Sequence, residues 1–299
     1  MRTTAATRIV ALALTTLLLT AACSSSGSDE DEDNTPTAQG PTPTTPGTAA
    51  PTAQPPAGGA EPVLPPIGAQ WDYQIGGAYQ PAAGVRIVSR DSGADPAAGL
   101  YNICYINAFQ AQPGSTAWWQ SNHPDLLLRD SSGALVLDKD WHEPLLDVST
   151  DAKRDRLAQV EYPWIDGCAA KGFQAVEPDN LDSYGRSGGL LKPADNIAFA
   201  SLLAQRAHRD GLAIGQKNAT ELLDRHQAIG FDFAVAEQCG ATDECDQYAS
   251  AYGNRVVDVE YDDAGFASAC KSFASRISII RRDHDVSAPP NGKYARRTC

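Results

Sequence analysis

The 299 residues carry 24 Lys and Arg against 37 Asp and Glu, a formal charge of −13. Setting aside Arg2 and Arg8 gives −15, and removing six acids, Asp29 to Asp33 and Glu61, leaves −9 on the rest. A domain this acidic repels nucleic acid and other polyanions, and it favours a neutral or cationic partner.

The chain begins with Arg2 and Arg8, an apolar run from Ile9 to Leu19, and Thr20-Ala21-Ala22-Cys23. Positive, apolar and small residues in that order mark a secretory signal over 1–22, with an apolar run too short to span a bilayer. A Cys directly after Ala-Ala resembles a bacterial lipobox. Cys23 is therefore the expected lipidation site, holding the exported chain on the outer face of the membrane; plain secretion is the alternative. Residues 23–61 combine a Ser run, the acidic block and a Pro/Thr/Ala tract. They bury too little to offset chain entropy and read as a disordered stalk. The remaining 62–299 is long enough for one large core, expected as a monomer.

Strand-like runs fall at 71–75, 85–89, 101–107, 145–148, 173–176, 212–216, 231–236 and 256–260. Helical patterns separate several of them. Asp151 to Lys171 follows the N-cap candidates Ser149 and Thr150, and Ala194 to Arg209 stops at Gly211. Shorter helices fit near 220–229, 244–252 and 264–280. The connection 108–143 is long and irregular. Eight strands alternating with helices predict an α/β fold, a (β/α)₈ TIM barrel. A doubly wound sheet is the rival, but Gln74-Ile75-Gly76-Gly77-Ala78 lacks the spacing of its nucleotide loop.

Six cysteines lie beyond Cys23: 104, 168, 239, 245, 270 and 299. An even number in an exported domain suggests disulfides, with fifteen pairings open in principle. Cys239 and Cys245 are close enough to close a loop, Cys270 can pin Cys299, and Cys104 is left with Cys168. There is no Cys-x-x-Cys, and the five His are scattered, so no metal or cofactor is implied.

The strand ends carry the chemistry. Phe173 to Val176 runs into Glu177-Pro178-Asp179-Asn180-Leu181-Asp182; the other ends bear Asp72, Tyr105 with Asn107, Lys217-Asn218, Glu237-Gln238 and Glu260-Tyr261. Polar residues at one end of successive apolar strands suit the carboxyl face of a barrel, where active sites form. Some of these positions read instead as solvated loop starts, as expected of Asp258 or Asp262. Two carboxylates on such a face, without metal ligands or an activated thiol, suggest glycoside hydrolysis, with Asp179 and Glu237 the best pair. Lys217 could hold one of them ionised or bind a sugar hydroxyl. Tyr73, Tyr105, Tyr184 and Trp141 are candidate stacking surfaces. Gly185-Arg186-Ser187-Gly188-Gly189 matches a nucleophile elbow in letters, yet no strand directly precedes it.

The series Val85–Asp91, Ile103–Ala108, Val176–Asp182, Gly215–Asn218 and Phe231–Cys239 resembles glycoside hydrolase family 114, the endo-α-1,4-polygalactosaminidases, over 70–270. The resemblance implies a (β/α)₈ barrel and endo-acting, retaining attack on α-1,4-linked galactosamine polymers, with Asp179 as nucleophile and Glu237 as general acid/base. A partly de-acetylated polymer is cationic and suits an acidic cleft. Asp72, Tyr105, Glu177, Asn180, Asp182, Lys217, Gln238 and Glu260 are then candidate substrate-binding residues. The rival functions are a barrel that binds glycan without cleaving it, and a glycosidase for another amino-sugar polymer.

Overall fold

The computed structural model describes residues 61–299. The signal segment, Cys23 and residues 23–60 lie outside the described residues. Eight parallel strands follow one another in chain order: β1 (Trp71–Gln74), β2 (Ile87–Asp91), β3 (Tyr101–Asn107), β4 (Ala175–Asp179), β5 (Ala213–Lys217), β6 (Phe233–Glu237), β7 (Val256–Glu260) and β8 (Ser278–Arg282). A short β9 (Arg296–Thr298) adds to β8 antiparallel. The sheet curls until β8 approaches β1, where Gly76 bridges Ser287, giving a TIM-barrel-like α/β fold.

Alternation along each strand sorts the side chains into two cores. Trp71, Tyr73, Ile103, Ala175, Phe233, Val235, Val257 and Val259 fill the barrel interior. Val176, Ile214, Ala234 and Ala236 face outward, against the helices.

The helices are α1 (Thr116–Asn122), α2 (Asp151–Lys171), α3 (Ser183–Arg186), α4 (Pro193–Arg209), α5 (His226–Ile229), α6 (Cys239–Thr242), α7 (Cys245–Ala251) and α8 (Asp263–Phe273). Thr150 caps α2 by accepting the Lys153 N–H at 3.3 Å, and Gly172, at φ 92°, ends it. Three disulfides join Cys104 to Cys168, Cys239 to Cys245 and Cys270 to Cys299. They tie β3 to α2, α6 to α7, and α8 to the C-terminus.

Three elements depart from the sequence expectation. Residues 145–148 form no barrel strand; Leu145 and Leu146 bridge Gln110 and Leu127 within an ordered flap built from the long connection. The eighth strand is Ser278–Arg282, in sequence that reads as a continuing helix because no Gly or Pro separates it from α8. Of the two expected loop starts, Asp262 is exposed in the turn after β7 and Asp258 is not. Asp258 is buried in β7, and Asp262 caps α8 by accepting the Ala264 and Gly265 N–H groups, each at 2.8 Å.

Candidate active site

Strands β4, β5 and β6 end on Asp179, Lys217 and Glu237 in turn, and each is followed by an amide residue with positive φ: Asn180 (65°), Asn218 (48°) and Gln238 (61°). Asn adopts that left-handed turn readily, so the chain leaves the barrel sharply and the preceding side chain stays over its mouth.

Lys217 is the centre, with a side chain only 1 % exposed. Its Nζ lies 2.9 Å from Glu177 Oε1, 3.2 Å from Asp179 Oδ1 and 3.6 Å from Glu237 Oε1. Burial pushes the ammonium pKa down, but the charges of Asp179, Glu177 and Glu237 outweigh it and keep Lys217 protonated. Asp179 feels the reverse balance. Burial pushes its pKa up, while the Lys217 charge, the Tyr105 hydroxyl at 2.7 Å and the Asn180 N–H at 2.8 Å bring it below the ordinary value. Glu177, deeper still, is pushed up by burial against the pull of Lys217, and its Oε1 also accepts the Tyr73 hydroxyl at 2.9 Å.

Glu237 is the more open carboxyl. Its Oε1 accepts the Tyr261 hydroxyl at 2.6 Å, and its Oε2 accepts Asn218 Nδ2 at 3.2 Å. Asn218 Oδ1 in turn accepts the Glu237 N–H at 2.8 Å, so one amide sets both ends of that residue. Burial raises the Tyr73, Tyr105 and Tyr261 pKa values well above normal, keeping all three as O–H donors.

These groups open on a cleft of about 380 Å³ lined by eight carboxylates against one arginine and one histidine. Along one wall, Asn180 Nδ2 donates to Asn107 Oδ1 at 2.8 Å, and Asn107 Nδ2 donates to Glu143 Oε2 at 2.9 Å. Arg186 donates to Asn180 Oδ1 and Asp182 Oδ1, each at 2.9 Å, and sits 2.8 Å from Asp138 Oδ2. Burial, helped by Asp179 and Asp138, raises Glu143 to about 7 against the Asn107 hydrogen bond. Trp141 stacks on His284 with ring centroids 5.1 Å apart, and His284 lies against Tyr261.

Two sequence candidates are elsewhere. Asp72 points out of the barrel, where it accepts Tyr79 OH at 2.7 Å and Gln74 Nε2 at 3.0 Å and pairs with Arg296 at the β1–β9 seam. Glu260 packs under α6 and accepts the Gly240 N–H at 2.6 Å. Tyr105, Asn180, Asp182 and Gln238 line the cleft, whereas Glu177 and Lys217 lie beneath it. Of the stacking candidates, Tyr73 is fully buried and Tyr184 bonds Glu221, leaving Tyr105 and Trp141 in the cleft. Ser187 is buried, with its hydroxyl donating to Tyr184 O, and is no nucleophile. Sequence reasoning missed Glu143, Asp138 and Arg186 as site residues.

Paired carboxylates over a barrel's carboxyl face are the machinery of a glycosidase, and a model of glycoside-hydrolase family GH114 matches residues 51–299. The chain belongs to glycoside hydrolase family 114. As a GH114 member it is a glycoside hydrolase. No curated protein sequence matches it. Among solved structures, Ega3 of Aspergillus fumigatus, in complex with galactosamine, superposes with a TM-score of 0.65 at 23 % identity, over 81 % of this chain and 99 % of that one. The glycoside hydrolase domain of PelA from Pseudomonas aeruginosa gives a TM-score of 0.55 at 15 % identity, over 74 % and 96 %. Both show the same barrel fold.

Proposed function

We propose that this GH114 hydrolase cuts α-1,4-linked galactosamine-containing polysaccharide internally and with retention, using Asp179 as nucleophile and Glu237 as general acid/base. The observation that carries the proposal is the position of Lys217 Nζ, 3.2 Å from Asp179 Oδ1 and 3.6 Å from Glu237 Oε1. Those two oxygens are no further apart than the sum of the distances. That limit on the two facing oxygens accommodates the roughly 5–5.5 Å separation of retaining enzymes. Asp179, held ionised, suits attack on the anomeric carbon. Glu237, more exposed and hydrogen-bonded on both oxygens, suits protonation of the leaving oxygen and later activation of water.

Eight carboxylates in the cleft favour a polymer bearing free amines, and the galactosamine bound to the structurally similar Ega3 supports that choice. We further infer export and lipid attachment at Cys23, from the signal pattern and from three disulfides that belong to an oxidising compartment. The test incubates purified galactosaminogalactan, beside chitosan, with wild type, Asp179→Asn and Glu237→Gln. Reducing ends, oligosaccharide masses and the anomer first released are followed. Oligomers of galactosaminogalactan from wild type alone, released in the α form, are expected. Tight binding without cleavage by all three would make the barrel a glycan-binding protein.

A further inference from the structure

Strand β7 reads Val256-Val257-Asp258-Val259-Glu260, and all five residues are buried. Val257 and Val259 face the barrel interior, so the alternation turns Asp258 and Glu260 outward, under α6 and α8. Both carboxyls have 0 % exposure. Three successive N–H groups directly after Glu237 are held by this strand. Gln238 N–H donates to Val259 O at 2.8 Å, Cys239 N–H to Asp258 Oδ1 at 3.2 Å, and Gly240 N–H to Glu260 Oε1 at 2.6 Å. Glu260 fits only beside glycine: a Cβ on Gly265 would stand 2.2 Å from Glu260 Oε2, and one on Gly240 2.8 Å from Oε1.

The second oxygen of each carboxyl, Asp258 Oδ2 and Glu260 Oε2, meets no hydrogen-bond partner among the described residues. Ligand-type atoms of Cys239, Cys245, Asp258 and Glu260 lie within 4.8 Å of one another, but the two sulfurs are joined in a disulfide and offer no thiolate to a cation. Two dry carboxylates this close do not both ionise, so the pair holds a proton. Burial and the neighbouring Glu260 push the Asp258 pKa well above the carboxylate range, so Asp258 keeps the proton. The other titratable groups facing the pair are Glu237 on β6, Tyr248 on α7 and Asp262 at the head of α8, none of them cationic.

We propose that Asp258 and Glu260 are positioning residues: as one hydrogen-bonded acid–carboxylate pair they clamp the turn Gln238–Gly240 and, through it, aim the carboxyl of Glu237. Gln238 holds φ 61°, a left-handed value that a non-glycine residue keeps only when its surroundings impose it. Without the clamp the turn relaxes, and Glu237 drifts from the Tyr261 hydroxyl and the Asn218 amide that orient it. The inference rests on Glu237 being the acid/base of the proposed reaction.

The test compares wild type, Asp258→Asn, Asp258→Leu and a Glu237→Gln control on galactosaminogalactan, measuring kcat, KM and melting temperature against pH. Asn supplies a donor to Glu260 and an acceptor to Cys239 N–H, as the protonated acid does; Leu supplies neither. Asp258→Leu is expected to lose about 100-fold in kcat at little-changed KM, the order of cost for a misplaced catalytic group. Asp258→Asn should keep most of kcat. A buried acid with a raised pKa loses stability as pH rises from its unfolded to its folded pKa, so Asp258→Asn should also gain melting temperature over wild type with rising pH. Wild-type kcat in Asp258→Leu, an equal loss in Asp258→Asn, or a melting difference independent of pH would each overturn the clamp. Should Asp258→Leu fail to fold, the Asn variant still decides it. Full activity in Glu237→Gln would instead overturn the reading of the site itself.

Discussion

Replacing Lys217 with Met removes the cation that reaches Glu177, Asp179 and Glu237 and conserves much of the side-chain volume. At 3.2 Å from Asp179 Oδ1, and with an effective dielectric of about 20, the ammonium–carboxylate attraction is about 5 kcal/mol. Less than that will be seen, because Glu177, already raised by burial, takes up a proton first and stops repelling Asp179. The Tyr105 and Asn180 hydrogen bonds also survive. A net rise in the Asp179 pKa is the expected remainder. The sign follows from the chemistry. Asp179 must be ionised to attack, its pKa is depressed in the wild type, and losing Lys217 lifts it. The acid limb of kcat/KM therefore moves to higher pH, with activity partly regained at alkaline pH. Reducing-end release across the acid and neutral range reads this directly. An acid limb in Lys217→Met that coincides with wild type would show that Asp179 is not the group held ionised there, and the role assignment would fall.

Glu143, raised to about 7, is protonated below that pH and adds a negative charge to the cleft above it. The KM for a cationic polymer should fall as pH rises through about 7 in wild type, and Glu143→Gln should remove that step; identical KM profiles would refute it. Trp141 is 54 % exposed, with one indole face covered by His284. Loss of a stacking surface costs about 1 kcal/mol, so Trp141→Ala should raise KM several-fold and leave kcat in place, and an unchanged KM would remove it from the subsites. Glu161 is fully buried in α2 with neither oxygen partnered among the described residues, and burial raises its pKa well above normal. Glu161→Met should stabilise the fold by about 1–3 kcal/mol in denaturant titrations, with the gain growing as pH rises because the wild type pays to keep that acid protonated.

Much of this architecture is written locally. The helix over Asp151–Lys171 begins at a Thr cap and ends at a left-handed Gly, and its observed bounds are those its sequence signals give. Short chain spacing points to the Cys239–Cys245 disulfide, and Cys104–Cys168 is the pair left over once Cys270 is matched with Cys299. The errors arise where local signals are silent. Leu145–Val148 is an apolar run short enough to be a strand or a packed flap, and only its neighbours Gln110 and Leu127 decide which. Glu143, Asp138 and Arg186 enter the cleft from irregular or helical segments with no periodicity, so nothing but the assembled fold brings them to Asn107 and Asn180.

The misplacement of Asp72 and Glu260 has a different origin, because the information to avoid it lay in the strands themselves. A polar residue near the carboxyl end of a barrel strand reaches the cleft only if it shares the alternation of the interior side chains. On β4, interior Ala175 is followed at steps of two by Glu177 and Asp179; on β6, Phe233 and Val235 lead to Glu237. On β3 the same step takes Ile103 to Tyr105 and Asn107, and on β7 Val257 and Val259 lead past Glu260 to Tyr261. Asp72, between interior Trp71 and Tyr73, and Glu260, after Val259, stand on the other parity. Parity thus separates the carboxyls that face the barrel interior and its cleft from those that brace the barrel from outside, and it moves Tyr261 into the site by the same step that removes Glu260. The outer set is not idle: Asp72 secures the seam where the barrel closes, and Asp258 with Glu260 grips the turn that presents Glu237. Inner carboxyls on this scaffold make the chemistry available, and outer ones fix where it happens.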